Sequence, residues 1–115
     1  MAQEILGEFN LDAEINRFAP DSTSAGRRAE TLIKNDRLRV VLVTMRTGAV
    51  LHDHHAPGPI TIHPVRGSFM VTVGGEERQV DAGSLISIEA GVRHAVRALD
   101  DGAFLLTIGG PLAPM

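Results

Sequence analysis

The five histidines of this chain are unevenly placed: three fall within positions 52 to 55, "HDHH", ahead of Pro57-Gly58-Pro59, and the others are His63 and His94. Neutral imidazole carries protons and donates to borderline-soft divalent metal ions, so the cluster is the first place to look for chemistry. On an extended strand, residues two apart project from one face. Alternation therefore points His52 and His54 at a shared position and turns Asp53 and His55 the other way. His94 follows the turn Ala90-Gly91 at the start of a later strand and would supply a third ligand. The predicted metal site is His52, His54 and His94, without His55. His63 is the candidate for a fourth position: alternation from Ile60 and Ile62 sends it outward, but Pro64 removes a ladder donor and permits a bulge that would rotate it back. A centre of neutral imidazoles acidifies bound water and polarises carbonyl oxygens. Zinc, nickel, iron, manganese and copper all suit such donors, and affinity order does not choose among them. There is no cysteine, so thiolate sites, thiol nucleophiles and disulfides are excluded.

The elements that must carry these residues read as short strands. "RLRVVLVTM" at 37–45 is a β-branched run suited to a strand buried on both faces. Turn signals then recur at Gly74-Gly75, Ala82-Gly83, Ala90-Gly91, Asp100-Asp101-Gly102 and Gly109-Gly110, intervals that suit an antiparallel sandwich or barrel. "SFMVTV" at 68–73 turns at Gly74-Gly75 and returns through "ERQV", a hairpin, while "SLISI" at 84–88 and "FLLTI" at 104–108 are further strands. "RRAETLIK" at 27–34 has helical propensity but is too short for a lone helix, and is read as a strand. "APDSTSAGRR" at 19–28 reads as an exposed loop or arm.

The chain has 115 residues, 43% of them apolar, with neither a membrane-length apolar run nor a secretory-type amino terminus; it is expected to be one soluble cytoplasmic domain. A net charge of −3 offers no general attraction to nucleic acid or to an anionic membrane. The expected division is an amino-terminal arm over residues 1–28 and a barrel domain over 29–115.

Two stretches carry a resemblance to the cupins. "GSLISIEAGVRHAVRA" at 83–98 resembles the second cupin motif, G-x5-P-x-G-x2-H-x3-N, through Gly83, Gly91 and His94; "HDHHAPGPITIHPVRG" at 52–67 resembles the first, G-x5-H-x-H-x3,4-E-x6-G, through His52, His54 and Gly67. The resemblance covers roughly residues 37–108. It implies an all-β, double-stranded β-helix, a small jelly-roll barrel of the RmlC-like kind, with a metal inside the barrel mouth and pairing into a homodimer. The departures are specific. Ile60 occupies the glutamate-ligand position, five residues separate it from His54, Glu89 and Ala98 replace the proline and asparagine of the second motif, and Arg46 stands where the leading glycine belongs, the nearest glycine being Gly48.

By alternation, Ile60, Ile62, Phe69, Val71, Val96, Leu106 and Ile108 are expected to line the barrel around the site, an apolar pocket suited to a small, partly apolar ligand. No serine lies in a nucleophile-elbow context and no carboxylate pair falls in the predicted pocket, Asp53 and Glu89 being read as solvent-facing, so catalytic residues are not assigned. Two function classes follow: a small metal-binding cupin acting on or binding a small organic molecule at a three-histidine centre, or a non-catalytic small-ligand-binding or sensing cupin module, with or without a metal.

Overall fold

The computed structural model describes residues 4–20 and 24–110. Its elements are α1 (Leu11–Arg17), β1 (Arg27–Lys34), β2 (Leu38–Met45), β3 (Val50–His54), β4 (Ile60–Arg66), β5 (Ser68–Val73), β6 (Glu76–Asp81), β7 (Ile86–Ile88), β8 (His94–Ala98) and β9 (Gly102–Gly109). The strands form two antiparallel sheets, β1-β2-β9-β4-β7 and β3-β8-β5-β6. The antiparallel strands expected from the turn spacing form the all-β jelly roll that the cupin resemblance implies.

The strands follow their side-chain alternation. Val73 pairs with Glu76 across Gly74-Gly75, both glycines at positive φ (56° and 87°), the two-residue hairpin turn that only glycine adopts without strain. β2 is buried on both faces over its second half: Val43 and Met45 belong to the core between the sheets, while Leu42 packs outward with Ile15 of α1 and with Ala103. The stretch 27–34 is a strand, and β1 begins two residues before the expected barrel start. The helix lies in the arm. Asn10 caps it, its side chain accepting from Ala13 N at 3.0 Å, and Ile15 anchors it to the outer face of the first sheet.

The main core fills the lower part of the barrel. Phe69 and Phe104 meet edge to face at 5.2 Å between centroids, roofed by Ile62, Val71 and Val96, all at 1% exposure or less. Gly67 (φ 78°) turns the chain tightly between β4 and β5; a side chain there would collide with the carboxylate of Asp100, which accepts from Ser68 N at 2.6 Å. Among the described residues no helix is long and apolar enough to cross a membrane.

Candidate functional site

Above that core the sheets part around a cavity of about 430 Å³. Its apolar wall comes from Val41 and Val43 of β2, Leu106 and Ile108 of β9, Ile60 of β4 and Leu51 of β3, with Ala25, Ala29 and Ala56 at its margins; its polar side chains are Arg27, Arg28, His54, His55 and His94. The volume lies within the range of small-molecule sites, about 300–1,000 Å³.

Of the residues expected to line this space, Ile60, Leu106 and Ile108 do so. Ile62, Phe69, Val71 and Val96 face inward as alternation requires but lie in the packed core below, with neighbours on every side. Alternation fixes a face, and the length of the strand decides the depth along it.

The histidines depart further from expectation. His94 opens β8, is 7% exposed, and pairs directly across the ladder with His54. The rings stand 6.5 Å apart at 36°. His52 does not share that face. Leu51 pairs with Val96 and His54 with His94, so His52 and Asp53 together oppose the single residue Ala95: a β-bulge. The extra residue resets the alternation, so Leu51 and His54 share the cavity side; residues 52 to 55 are all exposed at this rim, but of its histidines only His54 and His55 border the cavity and His52 does not. His55, expected on the opposite face, borders the cavity because β3 ends at His54 and the pleat no longer governs the next residue. His63 stays on the outer face, half-buried opposite Leu105; the bulge that Pro64 permits does form, but between Pro64 and Arg66, too late to turn His63 inward.

The surrounding loops hold this arrangement. Gly91 N donates to Ala56 O at 2.9 Å, tying the exit of β3 to the turn before β8, and Gly109 N donates to Pro59 O at 2.9 Å. Gly58 is buried so closely against the carbonyl of Gly109 that any side chain there would collide with it. His94 Nδ1 lies 3.1 Å from Val92 O; the tautomer protonated at Nδ1 donates to that carbonyl and leaves Nε2 with a free lone pair. A backbone partner of this kind orients metal-ligating and substrate-binding imidazoles alike.

The donor set does not fit a metal centre enclosed by three protein ligands. Among the described residues no group of three His, Asp or Glu side chains is gathered closely enough to hold an ion, and no carboxylate lines the cavity. Ile60, at the position where the first cupin motif carries a glutamate, is one of the apolar walls.

Arg27, Leu51, Val41 and Val43 are lining residues absent from the sequence-based set. A signal for them existed: pairing the strand at 27–34 with β2 as a hairpin puts Arg27 and Ala29 on the face of Met45 and Val43.

A model of the cupin domain matches residues 41–109. Among solved structures, a conserved protein of unknown function from Streptococcus pyogenes is 24% identical, with a TM-score of 0.72, covering 78% of this chain and 79% of that one. An RmlC-like cupin from Shewanella frigidimarina is 23% identical with a TM-score of 0.70, covering 76% and 79%. Salicylate 1,2-dioxygenase from Pseudoaminobacter salicylatoxidans, solved as adducts with gentisate, is 13% identical with a TM-score of 0.78 over 90% of this chain, which spans 33% of that enzyme. None of the curated proteins searched matches this sequence.

Proposed function

The chain belongs to the cupin family, and from that premise we propose that the cavity between its sheets binds a small organic molecule, with His54 and His94 as polar anchors. The observation that carries this reading is the cavity itself: an apolar space of about 430 Å³ in which two imidazoles from different strands face each other. Such a space, with a few placed polar groups, is the usual build of a ligand site. The imidazoles can accept or donate a hydrogen bond and can exchange a proton with a bound molecule. Among the described residues of the cavity wall only the imidazoles, His55 included, are suited to that exchange, so the chemistry open to the chain's own residues is binding and proton transfer.

A divalent metal, zinc, nickel, iron, manganese or copper, is the second reading. It would use His94 Nε2, whose lone pair is free in the tautomer that donates from Nδ1 to Val92 O. Of the predicted ligands, His54 and His94 line the cavity, with His55 beside them in place of His52. Two facing imidazoles are fewer than the three protein ligands of catalytic zinc sites.

One titration tests both. With untagged protein, small aromatic and aliphatic compounds should shift the amide resonances of Leu51, Leu106 and Ile108, and His94→Ala should weaken that binding. Shifts confined to outer-face residues such as Arg97 would refute the ligand site. Elemental analysis of the same protein should find less than stoichiometric metal; one firmly held ion per chain, lost in both His54→Ala and His94→Ala, would put the metal reading first.

Pairing into a homodimer belongs to the same proposal. Ile5 and Leu6 of the arm are 65% and 61% exposed and Phe9 is also exposed, an apolar run suited to a partner's surface. Sedimentation at micromolar concentration checks this, a lone monomer being the contrary result.

A further inference from the structure

The charge on the cavity wall is one-sided. Two arginines and three histidines border it and no aspartate or glutamate does, in a chain whose net charge is −3. The two arginines differ. Arg28 sits across from Thr44, on the outer side of β1; its guanidinium lies 5.3 Å over the ring of Phe18 and donates to Ala19 O at 3.3 Å. Arg27 sits across from Met45, whose side chain belongs to the core between the sheets, so Arg27 is on the inner side. It is half-buried, and among the described residues it has neither a carboxylate nor a hydrogen-bond partner. Arg39 repeats the pattern at the other end of β2. It shares the inner face with Val41 and Val43, pairs with Ile108 of the cavity wall, and its Nε is buried without a hydrogen-bond partner among the described residues.

The guanidinium of Arg27 is solvated only from the cavity mouth, and an anion that reaches it there replaces water with a charge-assisted hydrogen bond beside a low-dielectric wall. Arginine's planar fork fits a carboxylate with two parallel N–H···O bonds. Away from the histidines and Arg28, the wall of Val41, Val43, Leu106, Ile108 and Ile60 is apolar and suits a ligand's hydrocarbon body. We propose that the cavity selects small organic carboxylates with an apolar body, the carboxylate held by Arg27 and the body lying against β2 and β9. This rests on the cavity being a small-molecule site, and it adds the sign of the ligand's charge and the residue that reads it.

The experiment compares benzoate with its neutral analogue benzamide, and hexanoate with hexanamide, by amide-shift titration in the presence and absence of a metal chelator. Benzoate and hexanoate should bind at least tenfold more tightly than the amides, with the shifts centred on Ala29, Leu106 and Ile108. In Arg27→Gln the carboxylates should weaken by about tenfold to a hundredfold, the range of a charge-assisted hydrogen bond, until they match the amides. Arg97→Gln, on the exposed outer face of β8, should change nothing, and thermal melting should show that both variants are folded. If the amides bind as well as the carboxylates, or Arg27→Gln keeps the preference, the carboxylate proposal fails while the ligand site stands. Loss of carboxylate binding to the parent protein on adding chelator also overturns it, because a metal rather than Arg27 would then hold the anion. If neither class perturbs the cavity, both readings fall together.

Discussion

The two ends of this barrel are built on the same strands and the same inner face, yet one is packed solid and the other holds a cavity. At the closed end Phe69, Phe104, Met45 and Ala98 meet with at most 1% exposure, and the loops beyond them are pinned by carboxylates: Asp100 accepts from Ser68 N and Asp101 from Thr47 N at 2.8 Å and Thr47 Oγ1 at 2.9 Å. At the open end the wall is equally apolar, but its margins are Ala25, Ala29 and Ala56. Large aromatic side chains fill the first end and three methyl groups leave the second unfilled. The space for a ligand arises from side chains too small to close it, at the place where the imidazoles of His54, His55 and His94 enter.

The widest separation between the two ends should appear in stability. Phe104→Ala removes a fully buried ring and its edge-to-face partner contact, and should cost about 3–5 kcal/mol in chemical denaturation. Leu106→Ala, two residues along the same face, enlarges a space that already exists, and should cost about 1–2 kcal/mol. Equal losses at the two positions would mean that the cavity closes up in solution and that the contrast is false.

The second contrast lies between the two motif halves, and it marks where the sequence stops being legible. The strands are legible in the turn spacing and the jelly roll in the two motif halves, and the place of His94 at the start of a strand is legible in its register after Gly91, because β8 runs without interruption from His94 to Ala98. The first half misleads because alternation assumes an unbroken pleat, and nothing in "LHDHH" announces a bulge. Alternation therefore puts His52 on the face that His54 occupies. His55 was excluded by a rule that ends where the strand does. The place of Arg27 on the cavity wall becomes legible only when the strand at 27–34 is paired with β2 as a hairpin, a step that alternation within either segment does not supply. The bulge can be tested directly. Deleting Asp53 leaves one residue opposite Ala95 and restores a regular ladder that still aims His54 at His94. The variant should fold and retain ligand or metal binding within a few-fold. In a strand with an unbroken pleat the same deletion would turn His54 outward, so loss of binding comparable to His54→Ala would argue against the bulge.

The smallest expected effect belongs to the closed end and is read through pH. The carboxyl of Asp101 is held below its ordinary value of 3.8, chiefly by the backbone N–H of Thr47, then by the hydroxyl of Thr47, with Arg46 adding a minor favourable charge. A carboxyl whose pKa is lower in the folded state than in the unfolded chain binds fewer protons when folded. Its contribution is fully present above the unfolded value and disappears as pH falls through the folded one. Because Asp101 is in contact with solvent, screening keeps that contribution small. Asp101→Asn retains an oxygen that can accept from Thr47 but removes the charge. The parent should therefore melt slightly higher than the variant at neutral pH, and the gap should narrow as pH drops below about 4, in the window set by an ordinary aspartate. Asp81, whose pKa is also lowered, chiefly by the Gln79 side chain, remains in both proteins and cancels in the comparison. A gap that stays constant through the acid range would assign the variant's loss to altered geometry at the β2–β9 end instead of to the charge on Asp101.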